Sequence, residues 1–299
     1  MASKILCGFT PLRATFSLRL CAFASKFLAF MLPILLLTSC FEPKQGCLDI
    51  SAVNFDASAD KDCEDEGCTC VYPKLQVVVD QRYDTLPYRR DSVYPSTAGP
   101  SFRLHEVVFY LSDFQIFRNG EVFTMSDTLG LRLFSQIGND TLRQVFRNDF
   151  QLVRLETQTY AVGSFRESGL FSDVQIRLGL DAEPNRVIPA LAPTGHPLSL
   201  QADSLWRNKA EGFVFLKVVV GRDVPSTTRD TLTFTRADIG DFFIQQSGVF
   251  GHTNGYDFRL RLKADYQKLL GDINWTVGDK TAWKQQIIAN LPLTFSVSQ

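Results

Sequence analysis

Cysteine is absent from most of this chain, and histidine is scarce throughout it. All seven cysteines lie within the first 70 residues, so residues 71 to 299 offer neither a cysteine nucleophile nor a thiolate metal site. Three histidines in 299 residues supply few general bases. The motifs Gly-x-Ser-x-Gly, the phosphate loop, the dinucleotide fingerprint and His-Glu-x-x-His do not occur. We therefore expect a protein that is not an enzyme.

Neither sign of charge dominates. Lys and Arg total 31 against 32 Asp and Glu, a formal net charge of -1, and the sequence has no basic stripe. Because nucleic-acid binding depends on clustered cations that neutralise phosphates, no nucleic-acid partner is expected. Phenylalanine is abundant at 25 residues. With frequent Val, Thr and Tyr it favours the half-buried surfaces of β-sheets.

The first 39 residues have the pattern of a lipoprotein signal peptide. Basic residues without any acid precede the apolar run 27–37, which is short for a membrane span and is interrupted by Pro33. Leu37-Thr38-Ser39-Cys40 then forms a lipobox. An uncleaved signal anchor, or a secretory signal cleaved elsewhere, would be the alternative. We expect the mature chain to begin at lipidated Cys40 and to be membrane-anchored, in the periplasm or on the outer membrane facing the cell surface.

Residues 40–73 form an acidic segment with few apolar residues, which could not fold around a core of its own. It carries the four cysteines that remain after processing and lipidation. In an exported chain four cysteines suggest two disulfides, and the sequence leaves three pairings open. A calcium loop would need a ligand spacing that is absent, so a solvated acidic spacer is the preferred interpretation. The four disulfide candidates are Cys47, Cys63, Cys68 and Cys70.

Part of this spacer resembles a short repeat of secreted Bacteroidota proteins. The resemblance rests on Gly46-Cys47-Leu48-Asp49, on Ala52-Val53-Asn54-Phe55-Asp56 and on a closing cysteine followed shortly by an aromatic residue. It implies that Cys47 pairs with Cys68 or Cys70.

From Lys74 onward, short strands and turns follow one another. Residues 174–180 alternate between apolar and polar, whereas 213–220 is almost continuously apolar, as in a strand covered on both faces. The apolar phase shifts at Ser112-Asp113, which predicts a β-bulge, and Asn119-Gly120 predicts a hairpin turn.

Helical patterns are confined to the C-terminal part, at residues 265–270 and 280–291. We therefore predict an all-β fold for residues 74–299, an antiparallel β-sandwich with long loops and one or two short C-terminal helices.

Three separated groups of residues, in this order and spacing, resemble the MbnP-like family, periplasmic copper-binding proteins related to the partner encoded beside methanobactin genes. The resemblance covers about residues 74 to 297. It implies a β-sandwich that holds copper near one end, and it points to a di-haem peroxidase-like protein as a possible partner. The groups are Phe109-Tyr110-Leu111-Ser112-Asp113-Phe114; residues 176–180, Pro184-Asn185, His196-Pro197-Leu198-Ser199, 203–206 and 211–217; and Phe250-Gly251-His252-Thr253-Asn254-Gly255.

Histidine nitrogen is the main copper ligand that the resemblance implies, and imidazoles from different loops can converge on one ion. His196 precedes a proline that stiffens its loop, and His252 lies in a glycine-flanked turn. Both could instead hydrogen-bond loop carbonyls. His105 alternates with Val107 and Phe109, so we expect it on their face, as a buried histidine more readily than as a third ligand.

The relatives oxidise an early tryptophan beside a histidine to kynurenine, which contributes to the metal site. Here all three tryptophans lie after residue 205. From the ordered motifs and the loop histidines His196 and His252, the predicted function is non-catalytic binding of copper or a similar transition-metal ion by an exported lipoprotein. The alternative is a cell-surface lipoprotein that binds a protein or glycan partner without metal, through long polar loops at residues 80–101 and 181–211.

Overall fold

The computed structural model describes residues 42–63, 67–136, 140–154, 156–203, 205–222 and 228–299. The predicted signal peptide and Cys40 lie outside these ranges. Residues 45 to 299 form one compact unit, so the acidic segment packs with the domain that follows it. None of the helices within the described ranges is long and apolar enough to cross a membrane.

Strands dominate the described part of the chain. The strands are β1 (Lys74–Tyr83), β2 (Leu86–Pro87), β3 (Ser92–Tyr94), β4 (Phe102–Arg118), β5 (Glu121–Thr124), β6 (Thr128–Phe134), β7 (Thr141–Arg147), β8 (Gln151–Val153), β9 (Gln158–Ser164), β10 (Gly169–Leu178), β11 (Trp206–Asn208), β12 (Gly212–Gly221), β13 (Asp230–Thr235), β14 (Phe242–His252), β15 (Phe258–Asp265) and β16 (Phe295–Ser298); the helices are α1 (Arg236–Ile239), α2 (Tyr266–Leu270) and α3 (Lys280–Thr294).

Two sheets enclose the main core, as predicted for a sandwich. Within the described residues the larger sheet has the order β11-β12-β4-β10-β14, with β13 on β12 and with β3, β5 and β8 on β4; the smaller has the order β16-β15-β1-β2, with β9 on β1. Pairing is antiparallel except between β1 and β15, which run parallel from Leu75↔Phe258 to Arg82↔Asp265. The all-β sandwich is confirmed, with this one parallel pair as a departure.

Strand β4 contains two bulges, of which the sequence predicted one. Opposite β10, Gln175 pairs with Gln115 but Arg177 pairs with Ser112, which places an extra residue in β4 at the predicted position. The second bulge lies at His105, because Val219 pairs with Glu106 and Val220 with Leu104. Each bulge exchanges the faces to which the following side chains point.

The predicted C-terminal helices are present. Helix α2 begins after Asp265, whose side chain accepts a hydrogen bond from Gln267 N, and α3 begins after Asp279, which accepts from Ala282 N. Both are capped as expected for an N-cap aspartate. Helix α3 buries Trp283, Ile287 and Leu291 in the main core, where it contacts α2, β13 of the larger sheet and β16 of the smaller sheet.

A second apolar cluster lies on the outer face of the larger sheet. Phe213, Phe215 and Tyr110 belong to this cluster, while Leu216 and Val218 of the same strand β12 belong to the main core. Strand β12 is therefore covered on both faces, as its apolar run predicted. The cover consists of the β6-β7 hairpin and of residues 180–205, which contribute Leu131, Leu133, Leu180, Val187, Leu198 and Leu205.

Both long loops bury part of their residues. Residues 180–205 bury apolar side chains against the sheet, and the 80–101 region buries Tyr83, Tyr88 and Tyr94 in the main core. Both regions also keep exposed apolar residues, among them Leu86, Leu191 and Leu200. The long loops are thus partly packed on the sandwich, which the sequence did not indicate because their buried apolar residues are too widely spaced to show a period.

Candidate functional site

The first two motif groups meet on the outer face of the larger sheet. Tyr110 Oη donates to the carbonyl oxygen of Pro197 at 3.1 Å, and Ser112 Oγ donates to that of Gly179 at 2.7 Å. Asn185 Oδ1 accepts from Phe213 N at 2.8 Å while its amide donates to Glu211 O. These polar groups fasten residues 179–199 to β4 and β12.

Two glycines in the same groups are required by close packing. Gly179 has φ 97°, and a Cβ there would stand 2.1 Å from the Phe215 ring; Gly212 has φ 73°, with a Cβ 2.4 Å from the Asn185 amide. Only glycine combines a positive φ with such close approach. The motif residues at this place therefore encode the attachment of a loop to a sheet.

His196 takes part in that attachment. Its Nε2 lies 3.0 Å from Asn148 Oδ1, and its Nδ1 lies 3.1 Å from Leu198 N. An N–H at Nε2 donating to the amide oxygen, with Nδ1 accepting the backbone N–H, satisfies both contacts in the neutral ring. Burial lowers the pKa of His196, which is consistent with that neutral form. Both ring nitrogens are thus occupied within the chain.

His252 lies elsewhere, at the end of β14. Its Nδ1 is 2.5 Å from the carbonyl oxygen of Glu167 and its Nε2 is 2.6 Å from that of Tyr256, while its ring stacks on Phe258 at 5.1 Å. Each ring nitrogen thus lies against a carbonyl oxygen of the chain, which can accept a hydrogen bond from it. Both ring nitrogens of His252 are therefore occupied by contacts within the chain. The alternative that both loop histidines hold turns together matches their contacts.

His105 occupies a third place, and the prediction that it shares a face with Val107 and Phe109 was wrong. The unpredicted bulge turns it to the outer face, where its Nδ1 hydrogen-bonds the Asp91 carboxylate. The ring is buried, and its Nε2 has no hydrogen-bond partner among the described residues. His105 lines a cavity of about 420 Å³ together with Arg90, Asp91, Glu106, Lys217 and Arg229.

The structure does not bring the three histidines together. Across the described ranges, one group of three possible ligands has its atoms close enough to share an ion: Cys47, Asp62 and Cys70. Its two cysteines are bonded to each other, and the second disulfide joins Cys63 and Cys68. A disulfide sulfur is not a thiolate, so the group is a disulfide site. The pairing of Cys47 is one of the two that the resemblance to the secreted repeat implied.

The acidic segment docks on the sandwich beside His252. Asn254 donates from Nδ2 to Ile50 O at 2.9 Å, and Asp257 accepts from Lys74 N at 2.9 Å. The Arg166 guanidinium lies 3.3 Å above the Tyr72 ring, a cation–π contact. The third motif group, at residues 250–255, therefore supports the spacer.

Between the spacer and the sandwich lies an open groove of about 670 Å³. We call it the spacer groove. Four of its large apolar side chains are unusually accessible: Ile50 is 68% exposed, Val53 53%, Phe55 42% and Tyr256 69%. Ala52, Asn254, Gly255, Asp257 and Arg259 complete the lining. Sequence reasoning missed this site because its two walls lie 200 residues apart in the chain.

A carboxylate-rich cavity of about 430 Å³ adjoins the bulge at Asp113. Asp113 has φ 52° and pairs with Arg147 and Arg177. Burial raises the pKa of Asp149 to about 6, although Arg147 and the N–H of Phe114 oppose the shift. Asp113 lies in the bulge that the sequence predicted.

No protein-family model matches the chain, and no curated protein matches it. Among solved structures, MbnP from Methylosinus trichosporium is similar to it, with 14% identity over 68% of this chain and 78% of that chain and a TM-score of 0.37. The match is to the family that the sequence motifs resemble and is a distant likeness in fold. It transfers no residue role to this chain.

Proposed function

We propose that this is an exported, lipid-anchored, non-catalytic protein that binds a protein partner in the spacer groove. The observation that carries the proposal is the exposure of Ile50, Val53, Phe55 and Tyr256 around one groove. Large apolar side chains grouped on a surface are costly in water and mark interaction sites. The disulfides of the spacer agree with an oxidising compartment.

The composition of the groove favours a protein over a glycan. Two of its accessible side chains, Ile50 and Val53, are aliphatic, and aliphatic surface suits the apolar side chains of another protein. Tyr256 and Arg259 belong to the residue types that are enriched where interfaces bind most strongly. The Cys47–Cys70 disulfide fixes the wall that carries Ile50 and Val53, so less ordering is needed on binding.

Site-specific crosslinking tests this proposal. A photoreactive residue at position 53 or 256 should crosslink the same polypeptide in intact cells, and Ile50→Ser should abolish that product. Val249, which is 78% exposed on β14, provides a matched control position. Equal labelling of that polypeptide from position 249, or no effect of Ile50→Ser, would overturn the proposal.

Copper binding at His105 is the second candidate. The three-histidine set does not fit a single ion, because His196 and His252 are hydrogen-bonded through both ring nitrogens. His105 differs, since the Asp91 carboxylate orients its ring and leaves Nε2 unpaired. A carboxylate behind the ring is the usual support of a metal-ligating histidine. A di-haem peroxidase-like protein would then be the expected partner.

Copper titration separates the candidates. If His105 is a ligand, the purified chain should bind one copper ion, His105→Ala should lose it, and His196→Ala should retain it. Asp91→Asn should weaken the affinity by roughly tenfold or more, as for other groups that orient a ligand. Equal copper binding by wild type and His105→Ala would exclude this candidate.

A further inference from the structure

Two arginines on the outer face of the β6-β7 hairpin, Arg132 and Arg143, have no counter-ion among the described residues. Side chains of directly paired residues project to the same face, and the inward set, Leu129, Leu131, Leu133 and Phe146, packs on the second cluster. The opposite set defines what we call the hairpin face. It comprises Thr128, Gly130, Arg132 and Phe134 of β6 with Thr141, Arg143, Val145 and Arg147 of β7.

Arg132 stands directly opposite Arg143. Like charges in that arrangement repel, since directly paired residues have Cβ atoms about 5 Å apart. Both arginines are exposed, and neither makes an ion pair with any described residue. Arg147 differs, because it pairs with Asp113. The hairpin face itself contains no carboxylate.

Neighbouring residues extend the charge along the face. The Arg143 side chain lies over Gly130. A Cβ atom at position 130 would stand only 2.8 Å from Arg143 Nε, so glycine leaves the space that this side chain needs. At the other end, the Phe134 ring stacks on Trp206 at 6.1 Å and carries the Lys209 ammonium 5.8 Å from its centroid. The guanidinium groups of Arg132 and Arg143 thus lie beside an aromatic pair.

We propose that the hairpin face binds a sulfated polysaccharide. Two guanidinium groups that face each other can share the three free oxygens of a sulfate ester, whereas one guanidinium already occupies both oxygens of a carboxylate. Guanidinium is weakly hydrated, which suits the weakly hydrated, singly charged sulfate ester better than a phosphate ester. Several cations along one face suit a linear polyanion, and the exposed Val145 with the Phe134–Trp206 pair supplies apolar surface for sugar rings.

The test measures binding of the full chain, purified in detergent, to dextran sulfate, neutral dextran and a phosphorylated mannan. We expect dextran sulfate to bind most tightly. Arg132→Gln with Arg143→Gln should weaken its binding by about tenfold or more and reduce the slope of log K against log salt concentration by about 2. The melting temperature should stay equal or rise, because a repulsive pair is removed.

Arg89→Gln with Lys74→Gln is the matched control, since it removes the same charge from exposed positions outside the hairpin face. It should leave most of the binding intact. An equal loss in both double variants, tighter binding of the phosphorylated mannan, or equal binding of neutral dextran would each overturn the proposal. Crosslinking from the spacer groove at positions 53 and 256 should not change in the Arg132, Arg143 variant, so failure of one proposal is distinguishable from failure of the other.

Discussion

Asp149 is a buried carboxyl group, with 3% of its surface exposed. Its burial raises the pKa to about 6 from an ordinary value of 3.8. The folded state therefore retains a proton that the unfolded state has lost between these two values. This contribution to stability is present in full below about pH 4 and is lost as the pH rises through about 6.

Asp149→Asn should raise the free energy of unfolding at pH 7 by about 1–3 kcal/mol, since a shift of two pKa units corresponds to about 3 kcal/mol. The asparagine oxygen can still accept the hydrogen bond of Phe114 N. Urea unfolding of both proteins from pH 4 to pH 7 checks this. The difference between them should vanish near pH 4 and grow toward pH 7. Asp173→Asn should show no such gain, because a hydrogen bond from the Ser247 hydroxyl lowers the pKa of Asp173 instead of raising it. A pH-independent difference for Asp149→Asn would contradict the expectation.

The contribution of His196 to stability has the opposite pH dependence. Its lowered pKa means that the unfolded state takes up a proton at a higher pH than the folded state does. Its stabilising contact is therefore present above the ordinary pKa of about 6.5 and is lost as the pH falls below it. The hydrogen bond from Leu198 N to Nδ1 is the contact that protonation would remove.

At the scale of elements, residues 179–205 are held to the larger sheet by paired polar groups and by two glycines. The sequence presented the same residues as an ordered set of motifs and left open whether they bound a ligand or supported turns. The structure uses Tyr110, Ser112 and Asn185 for attachment. Spacing along the chain could not distinguish these roles, because the partners of each group lie 28 to 87 residues away.

Gly179→Ala should destabilise the protein by roughly 3 kcal/mol or more, since it combines an unfavourable φ with overpacking against the Phe215 ring. Gly195→Ala is the control in the same loop. It shares a positive φ, but nothing lies within 4 Å of its Cβ position, so the cost should be about 1 kcal/mol. Thermal or urea unfolding compares them. Equal losses would show that close packing at Gly179 contributes nothing.

The sequence predicted some features of the strands and not others. Apolar periodicity correctly predicted β10, β12 and the bulge near Asp113, and the Asn119-Gly120 pair correctly predicted the turn between β4 and β5. Each of these features depends on neighbouring residues. Apolar periodicity did not predict the bulge at His105, because apolar residues continue on both sides of this bulge. Only the register against β12 reveals the extra residue. The face of His105 was mistaken for that reason.

At the scale of the whole molecule, we expect the disulfides to hold in place the wall of the spacer groove that the acidic segment provides. Cys47→Ser with Cys70→Ser opens a loop with a sequence separation of 23, and should cost about 3 kcal/mol of the spacer's local stability. We expect faster proteolysis within residues 45–73, with the sandwich still protected. Mass spectrometry of the fragments identifies the sites. The double variant Cys63→Ser, Cys68→Ser should have a smaller effect, because this disulfide joins cysteines with a sequence separation of only 5 and so closes a short loop. Equal protection of the spacer in wild type and the first variant would contradict this.

Lipid attachment at Cys40 is a second prediction that concerns the whole molecule. Cells fed an alkyne fatty acid should label the wild-type protein, and Cys40→Ala should lose both the label and the membrane association. Cys21→Ala is a suitable control, because that cysteine lies in the predicted signal peptide. Labelling that persists in Cys40→Ala would refute the lipobox.

The sequence alone determined the local properties of this protein: the cysteine-rich segment, the β-sandwich and its C-terminal helices. These follow from composition and short-range periodicity. Export and lipidation stay predictions of the sequence. The tertiary structure decided which side chains share a neighbourhood. It separated the three histidines, folded the long loops onto the sheet, and built the spacer groove from residues distant in sequence. Strand register is not set by composition, so charges that are balanced along the chain can still leave Arg132 and Arg143 facing each other across a hairpin.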